Sequence, residues 1–399
     1  MSRPQVNVAI VGTGFIAETR ARAYAGVTGC EPRIVAAVSR TRERLDAYAR
    51  RHAVPDVYAE LEPVLERKDV DVIDLCVPNA LHRPMAVQAA EAGKHVICSK
   101  PLTAFDGAEL PEDVKLSDVP RTQMLRVADA NATAMVEAAR KHDVRLMYAE
   151  NWVYAPSIVK ADRLAAASGG AILEMRGGEC HSGSHSPYSK QWRYTGGGAL
   201  LRLGVHAMGA MLHLKRQEGL RRTGQPIRPR SVLADVADLT RTPGFEAEAH
   251  HYLVSGWQDV ENWATAVVSF DDGTRGTVFA SDAVLGGMES TLQVLMSNAH
   301  IRCNLSHTRL VEAFAPEASI FADEYLIEKL ETSAGWSPPA PDEDWAQGHR
   351  GMIQDFVASI AEGRAPKSEG ELGRDVIRLV YAAYVSAAEG RRVELASDA

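Results

Sequence analysis

Apolar positions in the first part of the chain form short runs separated by longer, mixed segments. The stretch 6–11 is nearly all apolar and rich in β-branched residues, and similar runs follow at 72–77 and 96–98. Such runs are typical of strands buried on both faces of a parallel sheet. The segments between them have the apolar spacing of helices. This alternation predicts an α/β domain with a parallel sheet over residues 1–150.

The pattern changes in the second part of the chain. The sequence ENWATAVVSFDDGTRGTVFASDAV (261–284) alternates apolar and polar positions around an Asp-Gly pair, which predicts a β-hairpin. Residues 290–306 have similar strand character, and the segments 348–366 and 373–395 have helical spacing. Residues 151–399 are therefore predicted to form an α+β domain with a large, mostly antiparallel open sheet.

A glycine pattern follows the first predicted strand. Gly12, Gly14 and Ala17 stand in a G-x-G-x-x-A arrangement between a strand and a helix. Such a turn lets a pyrophosphate approach the backbone at the helix N-terminus, although glycine turns of this kind also occur without a ligand. The context predicts a Rossmann dinucleotide site that includes Gly12, Gly14, Phe15, Ile16 and Ala17.

The residues after the second strand bear on the choice between NAD and NADP. That strand ends at Val38, and Ser39, Arg40, Thr41 and Arg42 follow where an acidic residue would bind the ribose 2′-hydroxyl of NAD. A hydroxyl and two guanidinium groups suit a 2′-phosphate, which favours NADP. In the alternative interpretation, Arg40 stacks on adenine and Arg42 is a solvated helix residue.

Two further strand ends supply candidate cofactor contacts. Ligands of open α/β sheets bind beyond the carboxyl ends of the strands. Lys100 closes an apolar strand and precedes a proline, although a lysine at such a place is commonly a surface cation. The residues predicted to line the cofactor crevice at these ends are Pro78, Asn79, His82, Ser99 and Lys100.

The stretch GGGALLRLGVH (196–206) places Arg202 four residues before His206. Residues at this spacing share a helix face. A guanidinium is a planar, bidentate receptor for anions. The presence of Arg202 therefore predicts a substrate that carries a carboxylate or sulfonate group. Alternatively, Arg202 pairs with an acidic neighbour such as Glu150 and the substrate is neutral.

The segment 177–198 is the other candidate substrate region, because it combines hydroxyls, cations and aromatic rings. Cys180, His181 and His185 within it lack a known metal-ligand spacing, and no metal is predicted. Tyr154 is predicted to hydrogen-bond the substrate and take part in catalysis, with ordinary packing as the alternative. The remaining predicted substrate contacts are Trp152, His185, Lys190, Trp192 and Arg193.

Composition limits the classes of partner. The 399 residues carry a formal net charge of −8 without a long basic run, which argues against nucleic-acid binding. The five cysteines show no CxxC spacing, as expected in a reducing compartment. No leader sequence and no apolar run of membrane-spanning length is apparent. These features predict a cytoplasmic protein.

The stretch at about 104–123 is polar and contains several prolines, and it is predicted to be an inserted loop or lid.

Several of these segments together carry a family resemblance. They are AIVGTGFIA, VIDLCVPNALHRPMAVQAAEAGKHVICSKPL, ENWVYAP, GGGALLRLGVHAMGAMLHL and WATAVVSFDDGTRGTVFAS. With them, nearly the whole chain resembles the Gfo/Idh/MocA oxidoreductases. The resemblance implies a Rossmann domain, a sheet domain used in homo-oligomerisation as a dimer or tetramer, and hydride transfer between NAD(P) and a carbohydrate carbinol.

The resemblance also implies catalytic roles for Lys100 and His206. Hydride removal from an alcohol needs a base for the hydroxyl proton and benefits from a cation near the developing alkoxide. His206 is the preferred base, and Lys100 would steady the oxyanion. The family usually has Glu-Lys-Pro where this chain has Ser99-Lys100-Pro101, and aspartate at the position of Arg202.

The sequence therefore predicts an NAD(P)-dependent oxidoreductase acting on a sugar, with an acidic sugar favoured. Some relatives are glycosidases that use bound NAD for transient oxidation of the sugar, elimination, water addition and re-reduction, and this is the alternative function. A non-catalytic NAD(P)-binding sensor is a weaker alternative, because a sensor has no need of Lys100 and His206.

Overall fold

A computed structural model describes residues 3–111, 113–184, 186–306, 311–330 and 332–395. Contacts within the chain divide it into two compact units. The described parts of 1–104, 126–154 and 348–377 form the first unit, and those of 105–125, 155–347 and 378–399 form the second. The inserted stretch after residue 104 thus belongs to the second unit, and one C-terminal segment belongs to the first.

The first unit is built on six strands: β1 (Gln5–Val11), β2 (Glu31–Val38), β3 (Asp56–Tyr58), β4 (Val72–Leu75), β5 (His95–Ser99) and β6 (Leu146–Ala149). They form a parallel sheet in the order β3-β2-β1-β4-β5-β6. This is the strand order of a Rossmann fold and confirms the predicted fold class. The four residues of β4 and the four of β6 are all buried, as in a sheet covered on both faces.

Helices follow most of these strands. Those in the first part of the chain are α1 (Phe15–Ala25), α2 (Arg42–His52), α3 (Glu62–Leu65), α4 (His82–Glu91) and α5 (Arg121–Lys141). Short 3₁₀ turns lie at Asn79–Leu81, Leu116–Asp118 and Asn151–Tyr154.

The strands of the second unit are β7 (Ile172–Cys180), β8 (Pro229–Ala237), β9 (Trp263–Phe270), β10 (Arg275–Ser281), β11 (Glu289–Met296), β12 (His300–Asn304), β13 (Ala313–Ala315), β14 (Gly335–Ser337) and β15 (Val393–Glu394). Seven of them form a sheet in the order β12-β11-β7-β10-β9-β8-β15. All neighbouring pairs in this sheet are antiparallel except β7 and β10, which confirms the mostly antiparallel sheet. A separate pair joins β13 to β14.

The remaining helices include one π-helical segment, Leu200–Gly204, which continues directly into α8. In the parts of the chain that the structure describes, no helix has both the length and the apolar character to cross a membrane. The helices are α6 (Pro156–Ser168), α7 (Trp192–Thr195), α8 (Val205–Thr223), α9 (Pro243–Glu246), α10 (Glu343–Ala346), α11 (His349–Glu362) and α12 (Gly370–Glu389), with 3₁₀ turns at Pro187–Lys190 and Leu239–Arg241.

Two local predictions are confirmed by these elements. The hairpin predicted at 261–284 is formed by β9 and β10, with Gly273 of the Asp-Gly turn at a φ of +87°. Helix α11 forms within the segment predicted to be helical and packs against α1 through a buried apolar face. Because α11 covers part of the first unit's core, this segment joins the Rossmann unit rather than the sheet unit.

The parallel pairing of β7 with β10 decides what lies at one end of the large sheet. Cys180 at the end of β7 is in register with Ser281 at the end of β10. The following residues, His181 and Asp282, therefore leave the sheet side by side. The backbone N–H of His181 donates to the Ser281 carbonyl at 3.0 Å, which holds the two strand ends together.

Candidate active site

The glycine turn after β1 has the geometry of a dinucleotide cradle. Gly12 has a φ of +95°, and a Cβ atom there would lie 2.3 Å from the Cys76 carbonyl oxygen. Gly14 caps the N-terminus of α1, and a Cβ atom at Gly14 would meet nothing within 4 Å. Ala17 is fully buried, which lets α1 pack closely on the sheet. The open backbone at a helix N-terminus therefore fits a pyrophosphate.

Two arginines follow β2, Arg40 and Arg42, and their surroundings differ. Arg40 is exposed and Ser39 is half-buried, with its backbone N–H donating to the Tyr58 carbonyl at 3.0 Å. Arg42 is paired with Asp46 one helical turn later, at 3.0 Å. Arg42 is thus the solvated helix residue considered as an alternative, and Arg40 is the better placed of the two for a phosphate.

The ends of β4 and β5 are tied together by polar side chains. His82 is fully buried, with Nδ1 3.0 Å from the Pro101 carbonyl oxygen and Nε2 2.9 Å from the Val77 carbonyl oxygen. Burial lowers the pKa of His82. The Ser99 hydroxyl donates to the Leu75 carbonyl at 2.8 Å. These two side chains support the strand ends, whereas Lys100, just beyond β5, is half-buried.

Tyr154 and Trp152 lie in the interior of the first unit. The Tyr154 hydroxyl donates to Asp355 at 3.0 Å and accepts from the backbone N–H of Ser368 at 2.9 Å. Burial, with Asp355 alongside, raises the pKa of this hydroxyl well above its ordinary value. Trp152 is 1% exposed. The packing alternative considered for Tyr154 therefore describes its surroundings better than a substrate contact.

The three glycines before Arg202 let the backbone close on a buried carboxylate. A Cβ atom at Gly197 would lie 2.4 Å from the Tyr384 hydroxyl, and one at Gly198 would lie 2.0 Å from the Glu261 carbonyl oxygen. The Glu261 carboxylate accepts from the backbone N–H of Gly198 at 3.1 Å, from that of Leu200 at 3.0 Å and from the Tyr384 hydroxyl at 2.8 Å. Glu261 thus satisfies the N-terminus of the helix that leads to His206.

Arg202 lies in the π-helical segment, and His206 lies in the first turn of α8. The predicted helix is present, but its first segment, Leu200–Gly204, is π-helical. The spacing of four between the two residues is therefore not one regular α-helical turn. Short π segments inside α-helices occur frequently at functional sites. His206 is 5% exposed, so its imidazole lies largely within the second unit.

Arg202 forms an ion pair with Asp282. The guanidinium and the Asp282 carboxylate form a two-point ion pair, through Nη2 to Oδ2 and through Nη1 to Oδ1 at 3.4 Å. The guanidinium also lies over the Trp257 ring, with Cζ 5.1 Å from the ring centroid. Arg202 thus pairs with an acidic neighbour, as in the alternative considered for it, and that neighbour is Asp282.

Asp282 is fully buried among polar neighbours. Its Oδ1 lies 3.5 Å from Nδ1 of His181, but that nitrogen accepts from the backbone N–H of Gly183 at 2.9 Å. Burial raises the pKa of Asp282, and Arg202 opposes this effect. Neighbouring Glu179 is 6% exposed and accepts from the Ser290 hydroxyl at 3.1 Å. Sequence reasoning missed Asp282 because 80 residues separate it from Arg202.

The segment 177–198 uses its predicted substrate residues to hold the second unit together. Lys190 donates to the Ser255 carbonyl, and Arg193 donates to the Gly107 carbonyl at 3.0 Å. Trp192 is 1% exposed, and its indole N–H donates to the Phe105 carbonyl at 3.0 Å. A buried indole offers no face to a sugar. The inserted stretch is thereby packed as part of this unit, and His185 lies outside the described residues.

Two sequence models of one oxidoreductase family match the chain. One describes the NAD-binding Rossmann fold and matches residues 6–118; the other describes the C-terminal alpha/beta domain and matches residues 170–395. Together they cover most of the chain. The protein therefore belongs to the Gfo/Idh/MocA oxidoreductase family, as the sequence motifs predicted.

Individual relatives are similar over almost their full length. Levoglucosan dehydrogenase of Pseudarthrobacter phenanthrenivorans is 27% identical over 98% of each chain. D-apiose dehydrogenase of Paraburkholderia graminis is 24% identical over 98% of this chain and 89% of its own. The structure of GenD2 from gentamicin A biosynthesis, in complex with NAD, is similar with a TM-score of 0.78 at 25% identity, covering 99% of this chain and 97% of that one.

Proposed function

We propose that this protein is an NAD(P)-dependent dehydrogenase that interconverts a hydroxyl carbon and a carbonyl carbon of a sugar or sugar derivative. The observation that carries the proposal is the glycine turn, where Gly14 leaves the N-terminus of α1 open on a Rossmann sheet. Relatives similar over nearly the whole chain are named as dehydrogenases of levoglucosan and apiose, which supports a carbohydrate substrate.

Two residues singled out in the sequence would carry the proposed chemistry, His206 and Lys100. The bound nicotinamide would supply the hydride acceptor. His206 would take the hydroxyl proton, because a neutral imidazole is an effective base near neutral pH. Lys100 would hold the developing alkoxide with its positive charge. Arg202 is unsuited to the role of base, since a guanidinium does not give up its proton in proteins.

The function is tested with nitrophenyl glycosides of a neutral sugar, a uronic acid and a sulfonated sugar, together with the free sugars, each supplied with NAD or NADP. We expect reduced nicotinamide to accumulate without release of nitrophenolate. Nitrophenolate released over many turnovers without net reduction of the cofactor would identify a redox glycosidase. Tight cofactor binding without either product would identify a sensor. Either of these results would refute the proposed dehydrogenase.

For the cofactor we propose NADP, on the basis of Arg40. Arg40 is exposed at the end of β2, and no acidic residue occupies positions 39–42. Replacing Arg40 by alanine is expected to raise the Kd for NADP by about 10-fold while changing that for NAD less than about 3-fold, because a charge-assisted bond to a phosphate is lost. Arg42→Ala is the matched control, since Arg42 is already paired with Asp46.

These cofactor affinities can be measured by fluorescence titration with NADPH and NADH. Equal losses of affinity in both variants, or equal losses for both cofactors, would show that Arg40 does not bind the 2′-phosphate.

We also propose a homo-oligomer formed through the large sheet, supported by the exposed Leu173 of β7 and Leu233 of β8. A cytoplasmic location is proposed from the five cysteines, all of which are described as free thiols.

A further inference from the structure

The Arg202–Asp282 ion pair is held from both sides. The Asp282 backbone N–H donates to the Asn262 carbonyl at 2.7 Å, and its side chain is fully buried. The guanidinium is held by this carboxylate and by the Trp257 ring, which is itself 2% exposed and donates to the Val254 carbonyl at 3.1 Å. Turning Arg202 toward another anion would leave a buried carboxylate without its counter-ion, which is strongly destabilising.

Buried carboxylates other than Asp282 lie near this pair. The charged groups that act most strongly on Asp282 are Arg202, Lys329 and Glu179. Glu261, which is buried as well, acts on Arg202. A substrate anion bound beside Arg202 would add a negative charge close to Asp282, whose side chain is fully buried. An uncharged polyol adds none and can still exchange hydrogen bonds with polar groups.

We propose that Asp282 is the residue that sets the charge of the substrate, by occupying Arg202 so that the site selects an uncharged sugar over an acidic one. This inference rests on the proposed function and gives it a substrate class. It reverses the expectation of an acidic sugar, whose premise was a guanidinium available to the ligand. Asp282 is thus a specificity-determining residue that acts through Arg202.

The test compares an uncharged hexose with the uronic acid that differs from it only at C6, using the glucose and galactose pairs. Binding to the full-length protein saturated with NADP(H) or NAD(H) is measured by calorimetry, and turnover is followed separately by nicotinamide absorbance. The wild-type protein is expected to bind the neutral member of at least one pair about 10-fold or more tightly. Asp282→Asn is expected to shift the preference toward the uronic acid by about 10-fold or more, mainly through Kd and KM, because the buried carboxylate that pairs with the guanidinium is removed.

Glu179→Gln is the matched control, because it removes a buried carboxylate near Asp282 that is bonded to Ser290 rather than to Arg202. We expect it to leave the preference within about 3-fold of wild type. Arg202→Met provides a second variant that does not depend on the folding of Asp282→Asn. It is expected to leave the uronic acid disfavoured, because no guanidinium is released.

A wild-type preference for the uronic acid that Arg202→Met abolishes would overturn the inference, as would an unchanged preference in folded Asp282→Asn. Failure to bind either member of both pairs would also overturn it. Selective binding of the neutral sugar without turnover would instead leave the inference standing and refute the dehydrogenase. Turnover that favours the uronic acid would overturn the inference and leave the proposed dehydrogenase standing.

Discussion

Replacing His206 by asparagine is expected to lower kcat for sugar oxidation by about 10²- to 10⁴-fold, the usual contribution of a positioned general base. Asparagine is close in size to histidine but does not accept a proton near neutral pH. The rate is measured as initial formation of NAD(P)H at saturating cofactor. Cofactor affinity is expected to stay within a few-fold of wild type, because His206 belongs to the sheet unit and not to the Rossmann unit.

Tyr154→Phe is the informative comparison for His206, because both residues were predicted to be catalytic. The variant loses the hydrogen bonds to Asp355 and from Ser368. We expect a loss of about 1–3 kcal/mol in the free energy of unfolding and a kcat within about 3-fold of wild type. A fall in kcat as large as that of the His206 variant, without a loss of stability, would instead make Tyr154 a catalytic residue.

Gly12→Ala is expected to destabilise the first unit by about 3 kcal/mol or more. The left-handed backbone alone costs an L-residue about 1–2 kcal/mol, and the new methyl group would lie 2.3 Å from the Cys76 backbone carbonyl. A backbone oxygen does not swing aside as the end of a flexible side chain does. The measurement is denaturant unfolding of the variant and the wild type without added cofactor.

Gly14→Ala separates stability from cofactor binding in the same turn. A Cβ atom at Gly14 meets nothing within 4 Å, so we expect unfolding to change by less than about 1 kcal/mol. The methyl group would nevertheless occupy the space through which a pyrophosphate approaches the backbone. The Kd for NAD(P)H is therefore expected to rise by about 10-fold or more. Unchanged affinity in this variant would contradict the proposed cofactor position.

Local sequence was sufficient wherever a feature depends on consecutive residues. The parallel Rossmann sheet followed from buried apolar runs, and the β9–β10 hairpin followed from alternation around an Asp-Gly turn. The cradle at Gly12 and Gly14 followed from a pattern six residues long, because the tight turn and the open approach are properties of those backbone positions themselves. The family membership also followed from motifs that can be read along the chain.

Burial separated residues that look alike in the sequence. Trp152, Tyr154 and Trp192 have the chemistry of sugar contacts, yet the first two lie in the core of the first unit and the third in the core of the second. An aromatic residue serves equally well for packing or for stacking on a ligand. Only its neighbours in the folded chain decide between the two, and those neighbours include Asp355, Ser368 and Phe105.

The sequence by itself determined the Rossmann sheet, the nucleotide turn and the presence of Lys100 and His206. It did not determine which carboxylate pairs with Arg202, because an ion pair forms with whichever carboxylate the fold brings beside the guanidinium. The tertiary structure decided this by pairing β7 with β10 in parallel, which brings Asp282 to Arg202 across 80 residues of sequence. Electrostatic pairing acts through distance in space, and neither residue type nor local spacing encodes that distance.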